Sequence, residues 1–304
     1  MGELDLIQWI RRRAGTRKGR IVVDTGDDAA IVKGGRGHLL FKTDSVIDGV
    51  HFDSRRAKPE QVGHKAIARC LSDVAAMGCH PAFAVVAIMV PRNARDAYIK
   101  RVLAGLERTA RRYGTAVVGG DVSSHAGRLA ISVALLGETR GLRPVRRSGA
   151  RPGDAIAVTG PLGGSILGKH LTFTPRVREA VRLNRRFDLH AMIDLSDGLA
   201  TDLRHLCRES GVGAVLRERQ IPITPAARKL SRKDGVPALD HAFADGEDYE
   251  LLFALPSTQA ARLERSGLGK VIGTVAAVDG LYLEGRDGAI KEIRGRGWEH
   301  RFRR

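Results

Sequence analysis

Acidic residues recur at the ends of apolar segments along this 304-residue chain. Each carboxylate follows or interrupts a run of apolar residues, where an uncompensated charge is costly. The set comprises Asp27, Asp28, Asp44, Asp73, Asp121, Asp194 and Asp197. Several such carboxylates in one chain predict hard metal ions held by oxygen ligands, and Mg²⁺ with a phosphate-bearing substrate is the simplest case.

The stretch 41–52, FKTDSVIDGVHF, is the one on which the remaining acids are expected to converge. An extended run reaching Phe41 gives way to Lys42, Thr43 and Asp44. A strand end is a position at which folds present functional side chains. We therefore expect the other acids to be brought to this point by the elements that precede them.

Length and composition indicate a globular protein of the size of an ordinary enzyme. The length allows two domains or one large α/β domain, and 43% hydrophobic residues support a real core. Three cysteines, Cys70, Cys79 and Cys207, form no CxxC pair, which fits a reducing compartment. The longest apolar stretch, 82–90, is too short to span a membrane, and the amino terminus does not resemble a secretory signal. We predict a cytoplasmic protein without a membrane association.

The formal net charge of +17 admits two interpretations. Basic segments at 11–20 and 301–304 are typical of nucleic-acid-binding arms. A general arginine bias on the surface, with attraction for anionic substrates, is the alternative. Aromatic residues make up only 5%, the basic residues are dispersed and no nucleic-acid-binding motif occurs, so the second interpretation is favoured.

Hydrophobic periodicity outlines the element order. Strands are predicted at 21–23, 29–32, 39–44, 82–90, 115–118, 129–136, 155–159, 191–193 and within 246–256. Helices are predicted at 4–13, 59–78, 93–113, from 160 onward and at 199–211. Residues 221–237 are predicted to be a charged connection, and 141–154, rich in Gly, Pro and Arg, to be a domain boundary.

One acid lies on an apolar helical stripe. Ala66, Cys70, Asp73 and Met77 fall on one face of the predicted helix 59–78. Asp73 is either a core group bonded to backbone donors or a ligand that faces a site. The other acids in the chain favour the ligand.

Two glycine-containing segments could approach a phosphate. Gly119-Gly120-Asp121 follows a predicted strand, where small residues allow close backbone approach, although a glycine turn with a solvated Asp is the better explanation of the triplet by itself. Gly163, Gly168 and Lys169 match the spacing of a P-loop, but His170 replaces the required Ser or Thr. Anion binding by backbone N–H groups remains open for that loop.

The segment 194–198, DLSDG, follows a short predicted strand. Ser196 or Asp197 has an ordinary interpretation as the N-cap of the next helix. Asp194, at the strand end itself, has no capping role, so it is the stronger candidate for a ligand.

Seven motifs then form a recognisable order: GDDAAIV, TDSVIDGVHF, HKAIARCLSDVAAMGCHP, YGTAVVGGD, RRSGARPGD, IDLSDGLATDL and GEDYELLF. Together they resemble the thiamine-monophosphate kinase family, within the superfamily that includes aminoimidazole ribonucleotide synthetase and selenophosphate synthetase. The resemblance covers residues 3–300. Selenophosphate synthetase is disfavoured because no cysteine precedes Cys70.

The resemblance implies an α/β (α+β) fold of two domains. Residues 1–140 would form an ATP- and metal-binding domain whose strands complete a β-barrel across a homodimer, and 141–304 a carboxy-terminal α/β domain. The implied activity is ATP-dependent phosphorylation of thiamine monophosphate to thiamine diphosphate. Several Mg²⁺ ions are implied as cofactors, and K⁺ is a further candidate.

The resemblance also implies roles for individual positions. The implied metal ligands are Asp28, Thr43, Asp44, Asp73, Asp121, Asp194 and Asp197. The implied nucleotide-binding residues are Gly120, Asp121, Arg147, Ser196 and Tyr113. The implied thiamine-substrate contacts are His51, Glu247 and Trp298. No protein nucleophile is implied, because metal-assisted transfer to a phosphate oxygen needs none.

Three residues depart from the family pattern. Lys42 stands where Ser or Thr is common, Cys70 replaces a usual Asn, and Val122 replaces a usual Thr. We expect them to change metal number or affinity before reaction type. Two alternatives remain open at this point: another ATP-using enzyme of the same superfamily, and a basic nucleic-acid-binding protein with a degenerate nucleotide site.

Overall fold

The structure is a computed structural model that describes residues 21–23, 27–34 and 37–293. The predicted helix at 4–13, both basic terminal segments and Trp298 lie outside the described residues. None of the helices that the structure describes is long and apolar enough to cross a membrane.

The amino-terminal half is built on a six-stranded sheet, in the order β1-β2-β3-β6-β4-β5. Its strands are β1 Ile21–Val23, β2 Ala30–Gly34, β3 Gly37–Ile47, β4 His80–Pro91, β5 Ala116–His125 and β6 Ala130–Glu138. All neighbours pair antiparallel except β4 and β5, which are parallel. Strand β5 stands at the end of the strand order and is therefore an edge strand.

Two helices cover one face of this sheet. Helix α1 runs from Pro59 to Ala76 and α2 from Asp96 to Arg112. Pro59 occupies the first turn of α1, where its missing N–H costs nothing, and Gly78 takes a left-handed φ of 66° just after the helix. Apolar residues of α1 pack against the inward-facing residues of β3, β4 and β6 in one core.

The carboxy-terminal half contains a seven-stranded sheet, in the order β13-β12-β9-β11-β7-β10-β8. Its strands are β7 Ala155–Val158, β8 Ala191–Asp194, β9 Gly213–Arg217, β10 Leu251–Leu255, β11 Lys270–Ala276, β12 Leu281–Glu284 and β13 Ile290–Glu292. Its helices are α3 Lys169–Thr172, α4 Val177–Arg186, α5 Leu199–Ser210, α6 Pro225–Asp234, α7 Ala238–Ala244 and α8 Ala260–Ser266.

The two faces of the second sheet have different partners. One face, which includes Ala157 and Phe253, joins the same hydrophobic core as α1. The other face, which includes Ile156 and Ile193, packs against Leu203 of α5 in a separate core. Helix α1 is therefore shared between the halves, and residues on it can reach groups from both.

Several predicted elements need correction. Gly119-Gly120-Asp121 lies inside strand β5 and not in a turn after a strand. The helix predicted from Gly160 is a loop as far as a short 3₁₀ turn at 165–167. Residues 221–237 contain helix α6, and 246–250 are irregular, with the strand beginning only at Leu251.

The predicted barrel is not closed within the described chain. The six-stranded sheet ends in β1 on one side and β5 on the other, so it remains open. A mixed α/β fold with two sheets is confirmed. Completion of a barrel by a second subunit stays a prediction.

Helices α1 and α2 cross where each carries a glycine. A Cβ atom on Gly63 would collide with the backbone of Val102, and one on Gly105 would collide with the backbone of Glu60. Backbone cannot move aside as a flexible side chain can, so we expect Gly63→Ala to lower the free energy of unfolding by about 2 kcal/mol or more. Chemical denaturation followed by circular dichroism measures this change.

Gly119→Ala is the matched control, because its added Cβ meets only the Val85 side chain at an ordinary 3.9 Å. Equal stabilities of the two variants would show that the helix crossing does not depend on glycine.

Candidate functional site

Three buried carboxylates meet where the two halves join. Asp28 lies in the link before β2, Asp73 in the last turn of α1 and Asp194 at the end of β8. One ligand atom from each lies within 4.8 Å of the others, and their exposures are 2%, 7% and 3%. We call these residues the acid cluster.

Burial and mutual repulsion disfavour the charges of the acid cluster. Burial and the neighbouring Asp28 raise the pKa of Asp194 to about 7, although the Ser72 hydroxyl donates a hydrogen bond of 2.6 Å to it. Burial raises the pKa of Asp73 well above its usual value, and Lys42 only partly opposes this. A bound cation would therefore compete with the protons on Asp73 and Asp194.

Two internal cations flank the acid cluster. The Lys42 ammonium lies 3.0 Å from Asp73. The Arg147 guanidinium donates two hydrogen bonds, of 3.0 and 2.9 Å, to Asp28, and its backbone N–H donates to Asp27. These contacts offset part of the negative charge, and they fix the directions of two of the three carboxylates.

The donor set of the acid cluster fits Mg²⁺. All three groups offer carboxylate oxygens, which hard divalent cations prefer, and their spacing allows one ion to contact more than one of them. A divalent ion would also relieve the repulsion that burial strengthens.

Two of the predicted ligands on β3 point to opposite faces of the sheet. Asp44 faces the same side as Lys42 and forms an ion pair of 2.9 Å with Arg69 of α1. Thr43, the next position, is exposed on the outer face. The structure therefore brings Asp44 towards the site but leaves Thr43 on the other side of the sheet.

Asp121 also lies on the outer face. Across the sheet it falls in the same row as Ser45, Ser132 and Ala87. Three inter-strand spacings separate its strand from β3, or roughly 14 Å. Gly120 has a packing role, because a Cβ there would collide with the Val86 backbone. The described chain does not bring Asp121 into the acid cluster.

The start of α5 is organised by an acid that the sequence analysis did not select. The backbone N–H groups of Asp197 and Gly198 donate to the buried Asp202 carboxylate at 3.0 and 3.1 Å. The N-cap residue of the helix is Gly198, which has no side chain to cap it. The Ser196 carbonyl instead accepts a hydrogen bond of 2.7 Å from the Glu247 N–H, which joins the DLSDG segment to the GEDYE segment.

A second polar site, which we call the acceptor junction, contains Lys65, His51, Glu247 and His170. The wholly buried Lys65 ammonium donates 2.6 Å hydrogen bonds to the His51 carbonyl and to Glu247. It also lies 3.2 Å from the His170 Nδ1. Burial opposes ionisation of Glu247, yet His170 and Lys65 lower its pKa to about 2.

Lys65 was missed because a single lysine in an amphipathic helix is normally a surface residue. Its spacing held a signal: Lys65, Arg69 and Asp73 recur every four residues on one face of α1. Burial lowers the pKa of Lys65, with Glu247 opposing the effect, so this face is both charged and enclosed.

The glycine loop before α3 is already engaged with carboxylates. The Gly163 N–H donates to Asp248 at 2.8 Å, and the Gly164 N–H donates to Asp245 at 2.7 Å. Lys169 forms an ion pair of 3.0 Å with Glu250. The groups that would cradle a phosphate in a P-loop are therefore used to hold the 245–250 segment.

Tyr113 lies apart from both polar sites. It follows α2 and lines a cavity of about 330 Å³ with several basic residues, among them Arg112, Arg140 and Arg182. The Arg112 guanidinium lies 5.8 Å from the centre of its ring. The described residues thus place this predicted nucleotide contact beside arginines and not beside the acid cluster.

Comparison with known proteins identifies the family. The family models described as AIR synthase related protein, N-terminal domain and C-terminal domain, match residues 26–139 and 151–286. A thiamine-monophosphate kinase from Rhodopirellula baltica is 39% identical over 269 residues, which cover 86% of this chain and 84% of the relative. The chain belongs to the thiamine-monophosphate kinase family.

Other members of the thiamine-monophosphate kinase family match along nearly the whole chain. The Aquifex aeolicus enzyme is 32% identical and covers 99% of this chain and 98% of its own. The solved structure of AaThiL complexed with AMPPCP and TMP aligns with a TM-score of 0.87 at 33% identity, covering 98% and 97% of the two chains. The resemblance inferred from the seven motifs is confirmed.

Asp194→Asn is expected to stabilise the metal-free protein at high pH. The folded-state pKa of about 7 exceeds the ordinary 3.8, so the folded chain binds more protons than the unfolded chain between those values. Wild-type stability therefore falls as pH rises through this window, and the amide removes that loss. Thermal melts in EDTA should show the variant gaining several degrees over wild type at pH 8 and much less at pH 4.

Exposed Asp240→Asn, which removes one surface carboxylate, serves as the control. A constant difference between Asp194→Asn and wild type from pH 4 to pH 8 would contradict the raised pKa.

Proposed function

We propose that the chain transfers the γ-phosphoryl group of ATP to thiamine monophosphate, giving thiamine diphosphate. The observation that carries the proposal is the match, over 98% of this chain, to a structure complexed with AMPPCP and TMP. Membership of the thiamine-monophosphate kinase family, at up to 39% identity, supports the same reaction.

The acid cluster supplies the proposed metal ligands. Asp28, Asp73 and Asp194 already converge, and Asp44 and Asp197 lie on segments adjoining them. Bound Mg²⁺ would neutralise phosphate charge and so lower the barrier to phosphoryl transfer. Thr43 and Asp121 lie on the outer face of the sheet and remain proposed ligands. They would bind a metal ion only together with groups from outside the described protomer.

The proposed nucleotide contacts are Gly120, Asp121, Arg147, Ser196 and Tyr113. Arg147 has the clearest support, because its guanidinium is fixed by Asp28 while 23% of its side chain stays exposed. A fixed, partly exposed guanidinium suits bidentate binding of a phosphate. Ser196 lies two residues beyond Asp194, close to the acid cluster along the chain.

His51 and Glu247 are the proposed acceptor contacts within the described residues, with Trp298 outside them. The exposed fraction of the Glu247 side chain is 29%, so a substrate can reach its carboxylate. A carboxylate held ionised suits the cationic thiazolium ring of the acceptor.

We propose direct in-line transfer without a phosphorylated enzyme. The attacking group is a phosphate oxygen that is already ionised, so the protein needs neither a strong general base nor a nucleophile of its own. The work of the chain is to orient two anionic substrates and to offset their charge.

The proposed reaction is tested by incubation with ATP, Mg²⁺ and thiamine monophosphate. We expect thiamine diphosphate, with inversion at the transferred phosphorus. Asp73→Asn should reduce turnover at least 100-fold while far-UV circular dichroism remains native, because the acid cluster loses one charge in its centre. Asp121→Asn should do the same if this carboxylate is a ligand.

Exposed Asp96→Asn, which removes only a surface ion pair with Lys100, is the control and should retain full activity. Absence of thiamine diphosphate at every enzyme concentration would refute the proposed function. A near-wild-type rate for Asp121→Asn would show that this residue is solvated and not a ligand.

We also propose that the chain is a homodimer in which the outer face of the first sheet is covered. Large apolar side chains on that face are unusually exposed, with 47% for Phe41, 46% for Phe83 and 45% for Val85. They lie side by side across β3, β6 and β4, next to Thr43. Such a contiguous apolar patch is typical of an interface.

Val85→Lys should convert the dimer into a monomer. A charge buried at the centre of an apolar interface is strongly unfavourable. Sedimentation equilibrium should give twice the 32.9 kDa chain mass for the wild type and a single chain mass for the variant. Val278→Lys, at a 63% exposed position in the other half, should leave the dimer intact. A monomeric wild type would refute the proposal.

Two further assignments accompany the proposed function. We propose domains of 1–140 and 141–304, supported by family models that end at 139 and resume at 151. We propose a cytoplasmic location, supported by three buried cysteines that are all free. A requirement for K⁺ stays a prediction.

A further inference from the structure

We propose that Lys65 is a positioning residue for the acceptor. Its ammonium holds the His51 segment and Glu247 in one fixed arrangement, so that contacts from both halves of the chain meet the same substrate. This inference rests on the proposed function, because His51 and Glu247 are the acceptor contacts that it requires.

The three partners of Lys65 come from three separate segments. His51 lies in the turns after β3, His170 in α3 and Glu247 in the irregular segment before β10. The distances from the ammonium nitrogen are 2.6 Å to the His51 carbonyl, 2.6 Å to Glu247 Oε1 and 3.2 Å to His170 Nδ1. An ammonium group has three N–H donors: the His51 carbonyl and Glu247 accept two of them, and His170 Nδ1 lies within reach of the third.

Lys65 lies behind the groups that it holds. Its side chain has no exposed surface, whereas 29% of the Glu247 side chain is accessible. A substrate can therefore touch Glu247 but not the ammonium. This arrangement assigns Lys65 an indirect role, in which it acts through the direction of its partners.

The backbone of the GEDYE segment depends on such support. Glu247 and Tyr249 have left-handed φ values of 52° and 51°, which non-glycine residues rarely adopt. Each is strained unless the surroundings compensate. Lys65 binds the Glu247 side chain, and Tyr249 stacks on Phe173 at 3.7 Å between ring centres.

A buried lysine is not required for packing. Removing one partner of a buried ion pair costs stability, because the other charge is left without its partner. Glu247 limits that cost, because 29% of its side chain is exposed and His170 lies 3.5 Å away. Lys65→Met should therefore fold, which separates a positioning role from a structural one.

The experiment compares steady-state kinetics of Lys65→Met, Lys65→Arg and wild type. We expect Lys65→Met to raise the KM for thiamine monophosphate at least tenfold and the KM for ATP less than threefold, with a lower melting temperature but a cooperative melt. Lys65→Arg, which keeps the charge, should recover part of the acceptor KM. A purely structural defect would instead lower the active fraction and leave both KM values unchanged.

Lys169→Met is the matched control. Lys169 also pairs with buried carboxylates of the GEDYE segment, namely Asp248 and Glu250, but not with an acceptor contact. Its replacement should leave the ratio of the KM for thiamine monophosphate to the KM for ATP as in wild type.

Unchanged acceptor KM in Lys65→Met, or equal increases in both KM values, would overturn the proposal. Should Lys65→Met fail to fold, Lys65→Gln, which removes the charge but keeps N–H donors, decides by the same KM comparison. A wild-type chain that does not phosphorylate thiamine monophosphate refutes the proposed function itself, whereas an active wild type with kinetically normal Lys65 variants refutes only the positioning role.

Discussion

Repulsion among three buried carboxylates is the constraint on which this structure depends. Asp28, Asp73 and Asp194 would be far more stable in water, and the chain holds them together at the junction of its halves. Lys42 and Arg147 compensate part of the charge through Asp73 and Asp28. The remaining imbalance is stability that the fold gives up in order to keep a cation site ready.

Buried charge also constrains the segment 246–250. Its side chains alternate between two sets of partners. Glu247 and Tyr249 face α1 and Phe173. Asp248 and Glu250 bind the glycine loop and its basic neighbours. Each charged group therefore has a partner despite deep burial. The segment connects the glycine loop to the acceptor junction without any regular secondary structure of its own.

Sequence patterns predicted the regular elements well where periodicity was strong. Helix α1 was found from Pro59 and its apolar stripe, and Asp73 was recognised because it interrupts that stripe. Strand β5 was cut short because glycine is usually a turn residue, yet Gly120 is required inside the strand by the nearby Val86 backbone. Helix α6 was missed because its composition is charged and its apolar face is small.

The candidate site was predictable in its residue types but not in its geometry. Asp28 and Asp194 come from segments more than 160 residues apart, and no local pattern states that they meet. Lys65 has the spacing of a charged helix face, but the sequence does not show that it is buried, because the second half of the chain encloses it. Thr43 and Asp44 are neighbours in sequence but lie on opposite faces, as strand alternation requires.

Helix α1 carries an acceptor-junction residue, Lys65, and an acid-cluster residue, Asp73, eight positions apart. At 1.5 Å per residue the helix sets their axial separation at roughly 12 Å. Under the proposed function, this fixed spacing would set the distance between the acceptor ring and the transferred phosphoryl group. Substrates with a longer or shorter arm between ring and phosphate would then fit the two sites less well.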